Sequence, residues 1–301
     1  MAIWGIDLGG TKIEGVILED PDHPEVILRK RIDTQAERGY RHILERIKLL
    51  IEQMSAESGI IPEKIGIGTP GSLDPQSETL KNSNTTCLNG RTFKNDLTEL
   101  LNLPVSMAND ANCFALAEYK MGSVKENHPE AEVVFGVIMG SGVGGGIVIG
   151  GKVVNGKQGI GGEWGHNFLD ESGGTCYCGK TGCVEKVISG KNLENYHLEK
   201  FGENKKLKDI YQEYLKRSNQ NSIHTINRLI TYFGKAIAVV INILDPDVIV
   251  LGGGVGNIDL LYTQGIEEVK KHVFNTRLDT IFLKPGLGDS AGVFGAAFLV
   301  S

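Results

Sequence analysis

The sequence predicts an α/β protein that is built from two lobes. Its 301 residues are many for a single hydrophobic core and sufficient for two. Residues 3–32 read as strands around a tight glycine turn, and residues 133–154 repeat this order of strand, glycine turn and strand. The repetition indicates an internal duplication. The 40 glycines, against a usual ~7% of residues, concentrate in these turns and in later loops, where backbone can approach a ligand closely.

The first predicted lobe comprises residues 1–115 and 287–301. Apolar residues at helical spacing predict an amphipathic helix over 39–58. Asn109 stands where an N-cap is expected, before a further helix. The other predicted elements of this lobe are strands at 3–8, 13–18, 26–32 and 64–69, a short strand near Val105, and a final helix from Ser290.

The second predicted lobe comprises residues 116–286. Residues 161–190 are irregular and rich in glycine and cysteine, whereas residues 223–244 carry a long apolar helical stripe. The other predicted elements are strands at 133–139, 146–150, 152–154, 247–251 and 280–284, and helices over 193–216 and 258–273.

Composition argues against some classes of partner. The formal net charge of -6 disfavours nucleic acid and anionic membranes. Met1 leads into an apolar strand without a basic segment, and apolar runs fall short of the roughly 20 residues of a membrane span. We therefore expect a cytoplasmic protein without a membrane or nucleic-acid partner.

Two familiar phosphate-binding motifs fit the glycine loops poorly. Gly140, Gly142 and Gly145 satisfy G-x-G-x-x-G, but a strand follows where a dinucleotide-binding fold has a helix. Residues 151–157 match most of a P-loop, yet Gln158 replaces the hydroxyl residue that would hold Mg²⁺. Both readings are therefore disfavoured.

Two glycine hairpins with hydroxyl residues remain, at 7–12 and 140–146. Free backbone N–H groups and a hydroxyl in such a bend can bind phosphate oxygens. Asp7, at the end of a strand, can hold Mg²⁺ directly or through water. A single hairpin would be read as an ordinary turn. Two of them, together with the glycines at 252–254, predict nucleotide binding.

A cysteine cluster predicts a structural metal site. Cys176, Cys178 and Cys183 lie within eight residues, and His166 precedes them. A Cys₃His set is a known structural zinc composition, and four protein ligands leave the ion no open position for catalysis. The competing interpretation is a group of unligated thiols. H-E-x-x-H does not occur in the sequence, so a zinc hydrolase is a poor alternative.

The hairpin DLGGTK at 7–12 resembles the first phosphate motif of the superfamily that joins sugar kinases, actin and heat-shock chaperones, in its ROK form. The hairpin at 140–146 resembles the second phosphate loop, with Ser141 in place of the usual Thr, and residues 251–255 resemble the nucleoside motif. C-x-C-G-x-x-G-C-x-E is matched in full from Cys176 to Glu185. The resemblance covers nearly the whole chain.

That resemblance implies a two-lobed actin-like ATPase (ribonuclease H-like) fold with a cleft between the lobes. ATP with Mg²⁺ would lie in the cleft, and bound Zn²⁺ would organise a loop. A homodimer is also expected, although only the stripe at 223–244 hints at one. The expected nucleotide contacts are Asp7, Gly9, Gly10, Thr11, Lys12, Ser141, Gly142, Gly252, Gly253 and Gly254.

Further motifs imply a sugar site. Residues 109–112 resemble N-D-A-N, in which Asp110 would be the general base, and residues 163–166 match E-x-G-H. A helix N-cap is a compatible structural interpretation of the first motif. The residues expected to bind sugar are Asn84, Asn109, Glu163, His166, which would also ligate zinc, and Glu185.

The acceptor is inferred from resemblance to one branch of the family. Residues 81–97, GEWGHN and CYCGKTGC look most like bacterial fructokinase (manno-fructokinase) sequences. We therefore expect a fructokinase that converts D-fructose and ATP into fructose 6-phosphate and ADP. Glucose, mannose and N-acetylhexosamines are the alternative acceptors.

Two other classes of function remain as alternatives. ROK proteins include sugar-responsive repressors with an N-terminal helix-turn-helix, for which the strand at Ile3 leaves no room. An ATPase or chaperone of the wider superfamily would have no use for the cysteine signature and E-x-G-H.

Overall fold

The computed structural model describes the backbone of residues 1–301 and the side chains of all residues other than Asp289. The chain forms two compact units. Unit 1 contains Met1–Pro129, Gly146–Gly161 and Gly286–Ser301, and unit 2 contains Glu130–Gly145 and Gly162–Pro285.

These limits differ from the expected lobe boundaries, which lay between residues 115 and 116 and between residues 286 and 287. Residue 115 falls inside helix α3 (Asp110–Lys120), which packs as a whole against α11 (Ala291–Phe298). Residues 146–161 join unit 1 because Gly146 lies against the backbone of Ala111 and Gly159 against that of Leu73.

Unit 1 is built on a five-stranded sheet with helices on both faces. Its strand order is β3-β2-β1-β4-β7, and β5 and β6 form a separate pair. The strands are β1 (Ile3–Leu8), β2 (Lys12–Leu18), β3 (Val26–Asp33), β4 (Ile65–Thr69), β5 (Ser72–Leu73), β6 (Leu80–Lys81) and β7 (Val105–Asn109). The helices, besides α3 and α11, are α1 (Tyr40–Ser58), α2 (Phe93–Leu101) and α4 (Ser123–Asn127).

The two faces of β1 bury different partners because side chains alternate along a strand. Trp4, Ile6 and Leu8 enter the core formed with the apolar face of α1. On the other face, Gly5 lies against Val293 and Ala297, so the missing side chain lets α11 approach the sheet. The predicted strands and the predicted helix at 39–58 agree with β1–β4 and α1, whereas α2 and α4 were not expected.

Unit 2 contains most of a second five-stranded sheet. Its order is β10-β9-β8-β11-β12, and β9 runs across the limit between the two units. The strands are β8 (Val133–Met139), β9 (Val143–Ile149), β10 (Lys152–Val153), β11 (Val248–Gly252) and β12 (Ile281–Leu283). The helices are α5 (Val184–Ile188), α6 (Gly190–Phe201), α7 (Leu207–Leu215), α8 (Gln220–Leu244), α9 (Gly253–Gly256) and α10 (Gln264–Lys270).

The two sheets share one strand order. In each, the third, second and first strands are neighbours, and the fourth and fifth follow beside the first. The fourth strand is parallel to the first in both sheets. This repeated order supports the internal duplication that the glycine turns indicated.

Helix α8 is long and apolar enough to span a membrane by length and composition. Half of its most apolar stretch is buried within the protein, and the helix packs against α5, α6, α7 and α10. Core helices of soluble proteins have the same character, so this helix is weak evidence for a membrane segment. Arg228 and Lys235 also interrupt its apolar sequence, in keeping with the expectation that uninterrupted apolar runs stay short of a span.

Candidate active site

The first hairpin, residues 7–12, projects from unit 1 between β1 and β2. The Gly9 N–H donates to the carbonyl of Lys12 at 2.9 Å, which closes the turn. Thr34 fastens it from the end of β3, because its hydroxyl donates to Gly9 O at 2.7 Å and its N–H to Thr11 O at 2.9 Å. Gly10 and Thr11 are exposed, so their polar groups can meet a ligand.

Asp7 lies at the base of this hairpin among close neighbours. A Cβ atom on Gly68 would come within 3.3 Å of the Asp7 carboxylate, and one on Gly292 within 2.9 Å. Burial, followed by the nearby charges of Asp110 and Glu14, raises the pKa of Asp7 to about 7. Asp7 and Asp110 are therefore close enough to influence each other.

A row of charged side chains continues from Asp7 across the sheet. Asp7 pairs with Glu14 in register, and Glu14 pairs with Arg31. Glu14 is 8% exposed and accepts from both Arg29 and Arg31, the latter at 2.8 Å. Arg29 also donates to Ser290, beside the start of α11. Sequence reasoning missed this row, although a glutamate inside the apolar strand β2 was an available signal.

Asp110 is the first residue of α3. The Asn109 side chain caps this helix by accepting from the Asn112 N–H at 2.8 Å, so the predicted N-cap is confirmed. One oxygen of Asp110 accepts from the Ala111 N–H at 2.8 Å, which fixes its orientation, and the residue is exposed. An exposed carboxylate on a rigid helix start suits a proton acceptor.

Asn84 lies on an exposed loop of unit 1. Two hydrogen bonds of 2.9 Å between Ser83 and Asn89 hold this loop in shape. A Cβ atom on Gly10 would lie 3.7 Å from the Thr85 hydroxyl, so the loop runs beside the first hairpin. Unit 1 thus gathers the phosphate hairpin, the predicted base and the predicted sugar contact Asn84.

The second hairpin belongs to unit 2 and closes in a similar way. The Gly140 N–H donates to Gly142 O at 2.9 Å, and Gly140 O accepts from the Gly190 N–H at 2.8 Å. Gly253, with a φ of 78°, lies directly against Met139 at the end of the neighbouring strand β8. Since β8 and β11 are parallel, their glycine-rich ends meet at one edge of the sheet.

A pocket of about 690 Å³ opens at this edge. Ser141 and Gly254 line it, as does the N-terminal turn of α6 at Gly190. Sequence reasoning missed several other lining residues. The single helix expected over 193–216 is divided into α6 and α7, with Gly202 as the C-cap of α6, and the first turns of both helices contribute to the pocket. These missed residues are Lys191, Glu194, Lys206, Tyr211 and Asn257.

Glu185 connects the second hairpin to the cysteine loop. It lies in the first turn of α5, and its carboxylate accepts from the Val143 N–H at 3.0 Å. A Cβ atom on Gly142 would lie 2.5 Å from that carboxylate. Glu163 precedes a turn anchored by buried Trp164, whose indole donates to Gly144 O at 2.9 Å. Glu185 and the turn that follows Glu163 therefore both contact the strand of the second hairpin.

The four predicted metal ligands converge. Donor atoms of His166, Cys176, Cys178 and Cys183 all lie within 4.8 Å of one another. The sulfurs of Cys178 and Cys183 are 3.6 Å apart, and Cys176 Sγ is 3.7 Å from His166 Nδ1. Two thiolates that bind one zinc ion tetrahedrally are about 3.8 Å apart, so the donor set fits this metal.

Comparison with known proteins supports the family. The sequence matches the ROK family profile over residues 3–301. It is 33% identical over 307 aligned residues to N-acetyl-D-glucosamine kinase of Aliivibrio fischeri, with 98% of each chain covered.

Among solved structures, the ROK hexokinase of Thermus thermophilus has a TM-score of 0.87 at 29% identity, and the alignment covers 99% of this chain and 97% of the hexokinase chain. A ROK family glucokinase of Streptomyces griseus, solved with glucose and AMPPNP, has a TM-score of 0.77 at 25% identity, with 99% of both chains covered. The predicted actin-like α/β fold class is confirmed. The chain belongs to the ROK family of sugar kinases.

Proposed function

We propose that this protein transfers the γ-phosphoryl group of ATP to the 6-hydroxyl of a hexose, with D-fructose as the preferred acceptor. The proposal rests chiefly on the pairing, in unit 1, of half-buried Asp7 at the base of the first hairpin with exposed Asp110 nearby. Phosphoryl transfer requires positioning, charge neutralisation and a proton acceptor, and these residues offer each of them.

In this proposal Asp110 acts as the general base. It accepts the proton of the sugar hydroxyl while that oxygen bonds to the γ-phosphorus. The bond from this phosphorus to the β–γ bridging oxygen breaks, and ADP leaves. Asn109 caps the helix and thereby holds Asp110 in place.

Asp7 fits a magnesium ion because its carboxylate is enclosed at the base of the hairpin, and its raised pKa reflects burial first and the nearby charges of Asp110 and Glu14 second. Mg²⁺ supplies neutralisation of phosphate charge when it is bound. The hairpin residues Gly9, Gly10, Thr11 and Lys12 would contact phosphate oxygens through their N–H groups and polar side chains.

The pocket of unit 2 is the proposed site for the nucleoside. Its volume of about 690 Å³ suits a nucleotide-sized ligand. Ser141 and Gly142 would face the phosphates, and Gly252, Gly253 and Gly254 would let the nucleoside approach the backbone. The amino end of α6 at Gly190 also lines the pocket, and the positive end of a helix dipole favours an anion.

The Cys₃His cluster is proposed to hold structural Zn²⁺. All four ligands come from the chain, so the ion would have no open position for substrate. Its role would be to order the loop that carries His166 and Glu185. Nδ1 of His166 faces the sulfurs, which leaves Nε2 for the sugar side.

The identity of the acceptor sugar is the most specific part of the proposal. Fructose is supported by residues 81–97, which include the ordered loop of Asn84. N-acetyl-D-glucosamine is the second candidate, favoured by the name of the Aliivibrio fischeri relative. A few pocket contacts can decide between hexoses. The homodimer and the cytoplasmic location also stay predictions.

ADP release by the pure protein with Mg-ATP tests the proposal, with fructose, mannose, glucose and N-acetyl-D-glucosamine measured in parallel. The highest kcat/KM on fructose would support both parts. The highest value on another sugar would keep the kinase mechanism and replace the acceptor. ADP release that is independent of every sugar would overturn the proposal.

A further inference from the structure

Tyr177 lies in the centre of the C-x-C segment and was assigned no role by the sequence motifs. The residue is 75% exposed, although both of its neighbours are metal-ligand candidates. Its hydroxyl lies 3.0 Å from Nε2 of His166, and the two rings meet edge to face with centroids 5.2 Å apart. An exposed tyrosine is thus held in a defined position by the histidine of E-x-G-H.

The Tyr177 hydroxyl also lies in the field of the two glutamates proposed to bind sugar. The charges of Glu185 and Glu163 both act on this phenol, so the two carboxylates lie in its neighbourhood. The hydroxyl itself contacts His166, the third predicted sugar-binding side chain of unit 2. A phenol hydroxyl can donate one hydrogen bond and accept others.

The Tyr177 hydroxyl has one hydrogen, and its contact with His166 need not use it. Nδ1 of His166 faces the cysteine sulfurs, and metal ligation through Nδ1 would place the ring hydrogen on Nε2. That N–H would then donate to the Tyr177 oxygen, and a three-centre bond would let it reach a sugar oxygen as well. The phenolic hydrogen is then available for one further acceptor, and a sugar hydroxyl oxygen suits it.

We propose that Tyr177 is a specificity-determining residue that donates a hydrogen bond to a hydroxyl of the acceptor hexose. This inference rests on the proposed function and adds a residue to its sugar site. A site built to bind a particular hydroxyl discriminates strongly against sugars that place that hydroxyl elsewhere. Tyr177 thereby contributes to the choice among hexoses as well as to affinity.

The test compares Tyr177→Phe with the wild type in three measurements. These are kcat and KM for each of the four hexoses, the dissociation constant of each sugar by titration calorimetry without ATP, and bound zinc per chain. Phenylalanine keeps the ring against His166 and removes only the hydroxyl. Tyr214→Phe is the matched control, because it removes a tyrosine hydroxyl elsewhere in unit 2.

We expect Tyr177→Phe to raise KM and the dissociation constant for the preferred sugar about 3- to 10-fold, the worth of one neutral hydrogen bond. Poorer sugars should change less, while KM for ATP and the zinc content should stay as in the wild type. The control should match the wild type throughout.

Unchanged sugar binding with full zinc would overturn the role of Tyr177 and leave the kinase proposal standing. Zinc loss in Tyr177→Phe would also overturn it, because the hydroxyl would then serve the metal loop. Failure of the wild type to bind or phosphorylate any of the sugars would instead overturn the proposed function and this inference together.

Discussion

The two phosphate hairpins occupy equivalent places in two sheets of the same strand order, yet they differ in charge. Asp7 stands two residues before Gly9 in the first hairpin, whereas Ile138 stands two residues before Gly140 in the second. In the first sheet, a row of Glu14 and Arg31 continues beside Asp7. In the second, a carboxylate arrives from outside the hairpin, since Glu185 reaches Val143 from α5.

Two sheets with the same strand order therefore carry different side chains at equivalent positions, and a few of these side chains set their different chemistry. Unit 1 carries buried and exposed carboxylates, which suit metal and proton chemistry. Unit 2 carries a glycine-lined pocket and the cysteine loop, which suit nucleotide binding and loop order. Experiments on each unit should therefore change different kinetic or physical quantities.

The largest expected effect comes from the proposed base of unit 1. Asp110→Asn should lower kcat by at least ~10²-fold, because the amide cannot accept the proton of the sugar hydroxyl. Asn109 still caps α3 and the new Asn side chain can still accept from the Ala111 N–H, so the circular dichroism spectrum and zinc content should be retained. Asp279→Asn, on an exposed loop, is the control. Near-normal turnover of Asp110→Asn would remove this residue as the base.

The cysteine loop of unit 2 provides the second effect. Cys178→Ser should lose most of the bound zinc, as measured by elemental analysis, and lower the Tm, because metal binding contributes to folding of such loops. Cys87→Ser changes a thiol of unit 1 and should keep zinc. Full zinc occupancy in Cys178→Ser would contradict the ligand assignment.

A third effect concerns the cost of the buried carboxylate of unit 1. The pKa of Asp7 is about 7 in the folded chain against an ordinary value of 3.8. Between these pH values the folded state keeps a proton that the unfolded state has lost, so stability falls as pH rises through this window. Above pH 7 the cost is fully present.

Asp7→Asn removes that cost. Without Mg²⁺ or ATP, we expect its Tm to exceed that of the wild type by at least ~2 °C at pH 8 and to match it at pH 4. Thermal unfolding across this pH range is the measurement. A Tm difference that does not depend on pH would show that the raised pKa is not the cause. Turnover should fall in the same variant if Asp7 serves magnesium.

The smallest effect is expected at the second hairpin. Ser141→Ala should raise KM for ATP about 3- to 10-fold with little change in KM for sugar, because one hydroxyl contact to phosphate is lost. Ser141→Thr keeps the hydroxyl and should behave like the wild type. If the alanine variant changed KM for sugar alone, the division of labour between the two hairpins would be wrong.

Much of the fold followed from local pattern. The strands of the two hairpins are mostly short, nearly continuous buried runs, the long helices carry apolar residues at helical spacing, and Asn109 caps α3 as its position indicated. The convergence of the cysteine cluster could likewise be predicted from the sequence, because its ligands lie within 18 residues and glycine turns bring them together. The break between α6 and α7 at Gly202 was overlooked, as were the pocket residues that these two helices supply.

By itself, the sequence determined the glycine hairpins, the four converging metal ligands and the ROK family, since each rests on residues close together in the chain. Only the tertiary structure decided which side chains surround them. Arg29 meets Ser290 across 261 positions, and Tyr177 turns back to His166 with Glu163 and Glu185 nearby. Such neighbours depend on how helices and loops pack against a sheet, and packing is a property of the whole folded chain that local periodicity does not encode.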